Sequence, residues 1–149
     1  MRWVPLVGVL VRLAARLRRH MLPVLQAESL SGLEVFTLWE VRRRRAGRAS
    51  ELAEFLGVPP STFTAVLDRL EARGLLERLP DPGDRRAVLV RGTPLLAGLL
   101  DRVAERAERE LEGLLGGLLD SEYRLVVQAL TLLDRQLTRG EGEEGDTQL

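Results

Sequence analysis

Two stretches hold most of the side chains that could do chemistry. PPSTFTAVLDRLEARG, residues 59–74, places three hydroxyls at the head of a helical pattern and arginines behind them. ERLPDPGDRRAVLVRGT, residues 77–93, reads as two extended arms around a turn that carries two prolines, a glycine, two aspartates and the pair Arg85–Arg86. Hydroxyls at a helix start and guanidinium groups on a projecting turn are groups that bind phosphate and read base edges. Covalent and metal chemistry are poorly supplied. There is no cysteine and only one histidine, His20, which excludes disulfides, thiolate metal sites, cysteine-based redox sensing and a histidine-rich metal site. No glycine-rich phosphate loop occurs, and the carboxylates fall at i, i+3 and i+4 from arginines, as on a solvated helix surface. The expectation is a protein that is not an enzyme, with no metal and no cofactor.

The chain that must position these groups has 149 residues, the size of one ordinary domain. Aromatics are only 4%, so the core is built from Leu, Val and Ala. All 22 basic residues are arginine, so every cationic contact is a planar, multidentate one. Net charge is zero but unevenly spread. Residues 42–91 hold eleven arginines against seven acids, and residues 92–149 hold six against twelve. A basic middle beside an acidic C-terminal third points to a local anion-binding face. The apolar run Val4 to Val11 is too short to span a bilayer and is broken by Arg12, so an amphipathic helix is expected there and no membrane partner.

Apolar residues recur at helical spacing from Leu6 to Leu25, with Pro5 suited to the first turn and Pro23 expected to end or kink the helix. Ser31 and Glu34 form a capping box for a second helix, which runs out in Arg42 to Arg45. Ser50 is expected to cap a short helix ending at Gly57, and a further helix from Pro60 or Ser61 runs to Gly74. Leu52, Phe55, Phe63, Val66, Leu67 and Leu70 are expected on the inner faces. Two short helices joined by a glycine-containing turn read as a helix-turn-helix. Residues 75–79 and 87–91 then pair as an antiparallel hairpin around a long turn, Pro80 to Arg86. Helical periodicity returns after Thr93–Pro94, breaks at Gly116–Gly117, and resumes from Asp120 or Ser121 to Leu137.

A hairpin directly behind a helix-turn-helix is a wing. The second helix of such a unit enters the major groove by its N-terminal end, and an arginine at a wing tip suits the negative potential of a minor groove. Thr62, Ala65 and Arg69 share the face away from Phe63, Val66, Leu67 and Leu70. Asp81 and Asp84 beside the tip arginines can orient a guanidinium by a forked pair.

The run LSGLEVFTLWEV, followed by ELAEFLGVPPSTFTAVLDRLEARGLLERLPDPGDRRAVLVRGTP, resembles the MarR family of winged helix-turn-helix transcriptional regulators. The resemblance implies a mainly α fold with a small β-hairpin, a winged helix-turn-helix flanked by N- and C-terminal dimerisation helices. On that basis residues 1–140 form a single domain. Residues 4–28 and 94–138 supply the dimerisation helices, 30–93 the winged unit, and 140–149 a disordered tail. It further implies an obligate homodimer on a pseudo-palindromic operator in double-stranded DNA, usually a repressor, cytoplasmic, and in many members relieved by a small-molecule effector, anionic or phenolic. By matching position, Ser61, Thr62, Thr64 and Arg69 are the recognition-helix contacts and Arg85 and Arg86 the wing contacts. Asp68 and Asp84 support the wing or the helix. Three positions depart from the family pattern. Ala65 stands where many members carry arginine, and Gly92 and Leu96 replace a common leucine and a common glycine.

Other features carry two readings. The leucine-rich faces of the first and last helices would leave a large apolar patch on a monomer, which a twofold dimer would cover. Arg42 to Arg45 read either as a phosphate clamp or as cations favoured at a helix C-terminus. His20 reads as an ordinary side chain. An alternative role on the same fold is a protein–protein assembly module without specific DNA binding.

Overall fold

The computed structural model describes residues 1–144, with side chains through Arg139. One compact unit runs from Met1 to Glu110 and a second begins at Leu111. Helix α1 (Val4–Ala27) carries a proline in its first turn, where no helical hydrogen bond is lost. It continues through Pro23 instead of ending there. Proline removes a single N–H donor, and the burial of Val24 in the core keeps the last turn in place. Helix α2 (Gly32–Arg44) starts at Ser31 with the expected capping box. Ser31 Oγ accepts the Glu34 N–H at 3.1 Å, and the Glu34 carboxylate accepts the Ser31 N–H at 2.9 Å.

A short strand β1 (Ala46–Arg48), absent from the expected elements, leads directly into α3 (Ala49–Leu56). Three residues are too few to display an alternating pattern, so only the partner strand reveals it. Because the chain leaves the strand at Arg48, that residue occupies the N-cap of α3 and Ser50 does not. Gly57 closes α3 in the left-handed region, φ 66°, where glycine avoids the Cβ clash. Helix α4 (Pro60–Ala72) follows, then strands β2 (Leu76–Asp81) and β3 (Asp84–Gly92). The sheet is antiparallel in the order β1-β3-β2. Both hairpin strands are longer than expected, and the reversal shrinks to Pro82–Gly83. Pro80 is tolerated because β2 is an edge strand.

Helices α5 (Pro94–Leu115) and α6 (Asp120–Glu144) complete the chain. Residues 140–144 of the tail, expected without structure, are helical, and 145–149 lie outside the described residues. The core of the first unit gathers Leu38 and Val41 of α2, Leu52 of α3, Phe63, Val66 and Leu70 of α4, Val90 of β3 and Leu100 of α5. Phe55 departs from the expected inner face. It is exposed, with the Arg44 guanidinium 5.2 Å from its ring centroid. On a helix of eight residues, Leu52 and Ala53 already fill the inward stripe.

The joint between the wing and α5 accounts for two departures from the family pattern. A Cβ on Gly92 would overlap the Cδ2 of buried Leu96. Glycine at 92 makes room for leucine at 96. Gly92→Leu is expected to cost about 1–3 kcal/mol by overpacking. Combining it with Leu96→Gly should recover part of that loss, measured by urea unfolding at fixed protein concentration.

Candidate nucleic-acid interface

The candidate surface is built from α4 and the wing. Helix α4 buries Phe63, Val66, Leu67 and Leu70 and leaves Ser61, Thr62, Thr64, Ala65, Asp68 and Arg69 exposed. Its N-cap is Pro59, with no side-chain cap, so Ser61 is not consumed in capping. The first-turn amides of such a helix carry the positive end of its dipole, which favours an anion. The Thr64 hydroxyl donates to the Pro60 carbonyl at 2.9 Å, leaving its oxygen as an acceptor only. Ser61 and Thr62 therefore offer the unengaged hydroxyls of this end.

The wing owes its shape to two aspartates. Asp81 is buried; its carboxylate accepts the Gly83 N–H at 2.8 Å and the Arg48 Nε at 2.6 Å. That pair closes the two-residue reversal and ties it to β1. The Gly83 amide and the Arg48 guanidinium together hold the Asp81 carboxyl below its ordinary value. Asp84 accepts the backbone N–H of Arg86 at 3.0 Å, so it shapes the strand and does not grip a tip guanidinium. Register breaks here. Between Pro80↔Val88 and Asp81↔Asp84, one step on β2 opposes four on β3, so Arg85, Arg86 and Ala87 stand outside the ladder. Such a bulge re-aims side chains away from the sheet.

The remaining arginines of the sheet are occupied. Arg48 holds Asp81, Arg91 holds Glu77 at 2.7 Å, and Arg78 holds both Asp68 and Glu71 of α4. Asp68 thus meets strand β2 from α4. Arg85 and Arg86 hold no carboxylate among the described residues. Arg69 is placed differently from Ser61 and Thr62. Its Nε donates to Glu34 at 2.8 Å, on the side of α4 facing the start of α2.

Three of the four arginines from Arg42 to Arg45 hold carboxylates. Arg42 pairs with Asp101 at 2.9 Å, while Arg43 and Arg44 both grip the buried Glu40. The Arg43 hydrogen bonds lower the Glu40 carboxyl despite its burial, with Arg44 adding to the effect. Arg45 lies with Arg42 at the rim of a shallow hollow of about 190 Å³ floored by Val41, Leu96 and Ala97. His20 Nδ1 lies 3.0 Å from Glu110. No local spacing marks the pairs Arg48–Asp81, Arg69–Glu34 and Arg78–Asp68, which join residues 33, 35 and 10 positions apart. The one local signal was the Asp-Pro-Gly turn.

Residues 30–88 match the family model described as MarR family, so this segment is similar to that family. The HTH-type transcriptional repressor NicR of Pseudomonas putida is 34% identical over 98 residues, 66% of this chain, and the chain spans 61% of that relative's length. A crystal structure of MarR superposes with a TM-score of 0.78 at 26% identity, covering 91% of this chain and 99% of that one. A MarR mutant from Escherichia coli, solved in complex with operator DNA, shares the fold with a TM-score of 0.71 at 24% identity, over 89% of this chain and 95% of its own. No helix among the described residues is long and apolar enough to cross a membrane.

The lowered carboxyl of Asp81 fixes a pH dependence. A group whose folded value is depressed contributes stability above its unfolded value, about pH 4, and loses it as pH falls through the folded value. Acidification through that window should therefore loosen the wing tip. Asp81→Asn should loosen it at neutral pH, read as faster amide exchange at Gly83 with the helix content unchanged.

Proposed function

We propose that the protein is a homodimeric, sequence-specific DNA-binding transcriptional regulator, a repressor that acts in the cytoplasm and has no catalytic activity. The observation that carries this reading is the division of labour among the wing arginines. Arg48, Arg78 and Arg91 are neutralised by carboxylates, while Arg85 and Arg86 project from a bulge without one. Leaving two guanidinium groups unpaired at a tip, in a chain with as many acids as arginines, is consistent with a polyanion as the missing partner. Ser61 and Thr62 at the head of α4 would enter the major groove, with Thr64 accepting from a base edge, while Arg86 reaches the minor groove beside Arg85. Asp68 and Asp84 act as supports through Arg78 and the Arg86 amide.

Apolar exposure supports the dimer. On α1, Val4, Val7, Val9 and Leu13 are exposed in the single chain, and so are Leu125, Val126, Leu130 and Leu137 on α6. Faces of this kind are seldom left to water. A pseudo-palindromic operator would then match two reading heads about one helical turn apart. Relief by a small-molecule effector completes the proposal, its site unassigned.

Two measurements test this reading. Fluorescence anisotropy with the duplex upstream of the protein's own gene should show tighter binding than with a scrambled duplex, and a steep loss of affinity with salt. Arg86→Ala should weaken binding roughly tenfold or more and make the salt slope shallower by about one. A folded dimer that binds neither duplex would favour a protein–protein assembly role instead. In sedimentation experiments, Val126→Asp with Leu130→Asp should shift the protein to a monomer.

A further inference from the structure

The turn between α1 and α2, residues 28–31, and the first turn of α2 through Glu34 receive arginines from two other helices. From α4, Arg69 donates its Nε to Glu34, and Arg73, which caps the C-terminal end of that helix, donates to the carbonyls of Ser29 at 2.9 Å and Glu28 at 2.8 Å. From α5, Arg102 and Arg106 reach the Glu28 carboxylate at 3.2 and 3.5 Å. Arg102, by its hydrogen bond, holds that carboxyl below its ordinary value. Ser29 adopts φ 53° within the turn, a conformation that non-glycine residues seldom take.

Glu34 is the centre of this corner. Its side chain is only 9% exposed, and both oxygens are used, one by the Ser31 amide and the other by Arg69. A buried carboxylate left with one partner missing is costly, so Arg69 is needed where it is. Arg69 also lies about 13 Å along the helix axis from Pro60, well behind the end of α4 that carries Ser61 and Thr62.

We propose that Arg69 and Glu34 are positioning residues, which, with Arg73, seat the rear of the recognition helix on the α1–α2 turn and so set the angle at which its hydroxyl-bearing end meets DNA. Arg69 thereby acts through Glu34 and not on a phosphate or base. The consequence for binding rests on the DNA-binding reading above, whereas the seating itself does not. The same turn is held by α5, so a shift of α1 or α5 reaches α4 through residues 28–34.

The test uses Glu34→Gln, Arg69→Gln and the double variant in the full-length protein. Glutamine keeps an acceptor for the Ser31 amide, so the cap of α2 survives while the charged partner of Arg69 is lost. Without DNA, both single variants should raise amide exchange across residues 60–66 with unchanged helical content. Unchanged exchange in either would overturn the seating. With the tightest duplex selected from a random-sequence pool, both single variants should weaken binding by roughly tenfold. The double variant should be no worse than the weaker single, and the salt slope should stay at the wild-type value. If Arg69→Gln alone weakens binding and the slope falls by about one, Arg69 is a phosphate contact and the proposal fails. A wild-type protein that binds no duplex would remove the DNA-binding reading, while the exchange result would still decide whether Glu34 and Arg69 seat the helix.

Discussion

Glu34 is a carboxylate inside the first unit, and such a charge persists there only if every oxygen finds a donor. One oxygen completes the capping box that starts α2, and the other takes the Nε of Arg69 from α4. Burial alone would raise its carboxyl, yet Arg69 and the Ser31 amide outweigh that effect and hold it below the ordinary value. Helix α2 supplies Leu38 and Val41 to the core, and α3, α4, the sheet and α5 pack around that core. The start of α2 and its ion pair with α4 therefore share one group.

The same logic runs through the surface. With no lysine, every cation is a guanidinium able to hold two acceptors at once, and the chain uses this to link elements. Arg78 ties β2 to α4, Arg48 ties β1 to the wing turn, and Arg42 ties α2 to α5. Exposed pairs of this kind contribute little stability individually. Their effect is geometric, fixing which arginines are occupied and which are left over. Arg85 and Arg86 are left over: they stand in the bulge, outside the ladder, and Asp84 accepts the Arg86 backbone N–H and holds neither guanidinium.

Gly92 and Leu96 illustrate how a local exchange depends on a contact between strand and helix. Read singly along the chain, each is a departure from the family pattern. In space the leucine fills the volume that a side chain at 92 would claim.

Much of this protein is written locally in its sequence. The capping box at Ser31 and Glu34, the left-handed Gly57, the helical stripe of α4 and the hydroxyls at its head depend on neighbours within four residues, and periodicity reports them. The sequence also brings Arg85 and Arg86 close to the wing reversal, although they stand in the bulged start of β3 and not in the turn. The tertiary structure decided what depends on distant partners. Strand β1 exists only because β3 offers it a ladder, and Phe55 faces outward because Leu52 and Ala53 already fill the stripe. The length of the wing turn follows from Asp81 meeting an arginine 33 residues away. Arg69, on the face that also carries Thr62 and Ala65, turns to a buried carboxylate on another helix. Spacing along a chain places a side chain on a face, but only packing supplies the group it meets there.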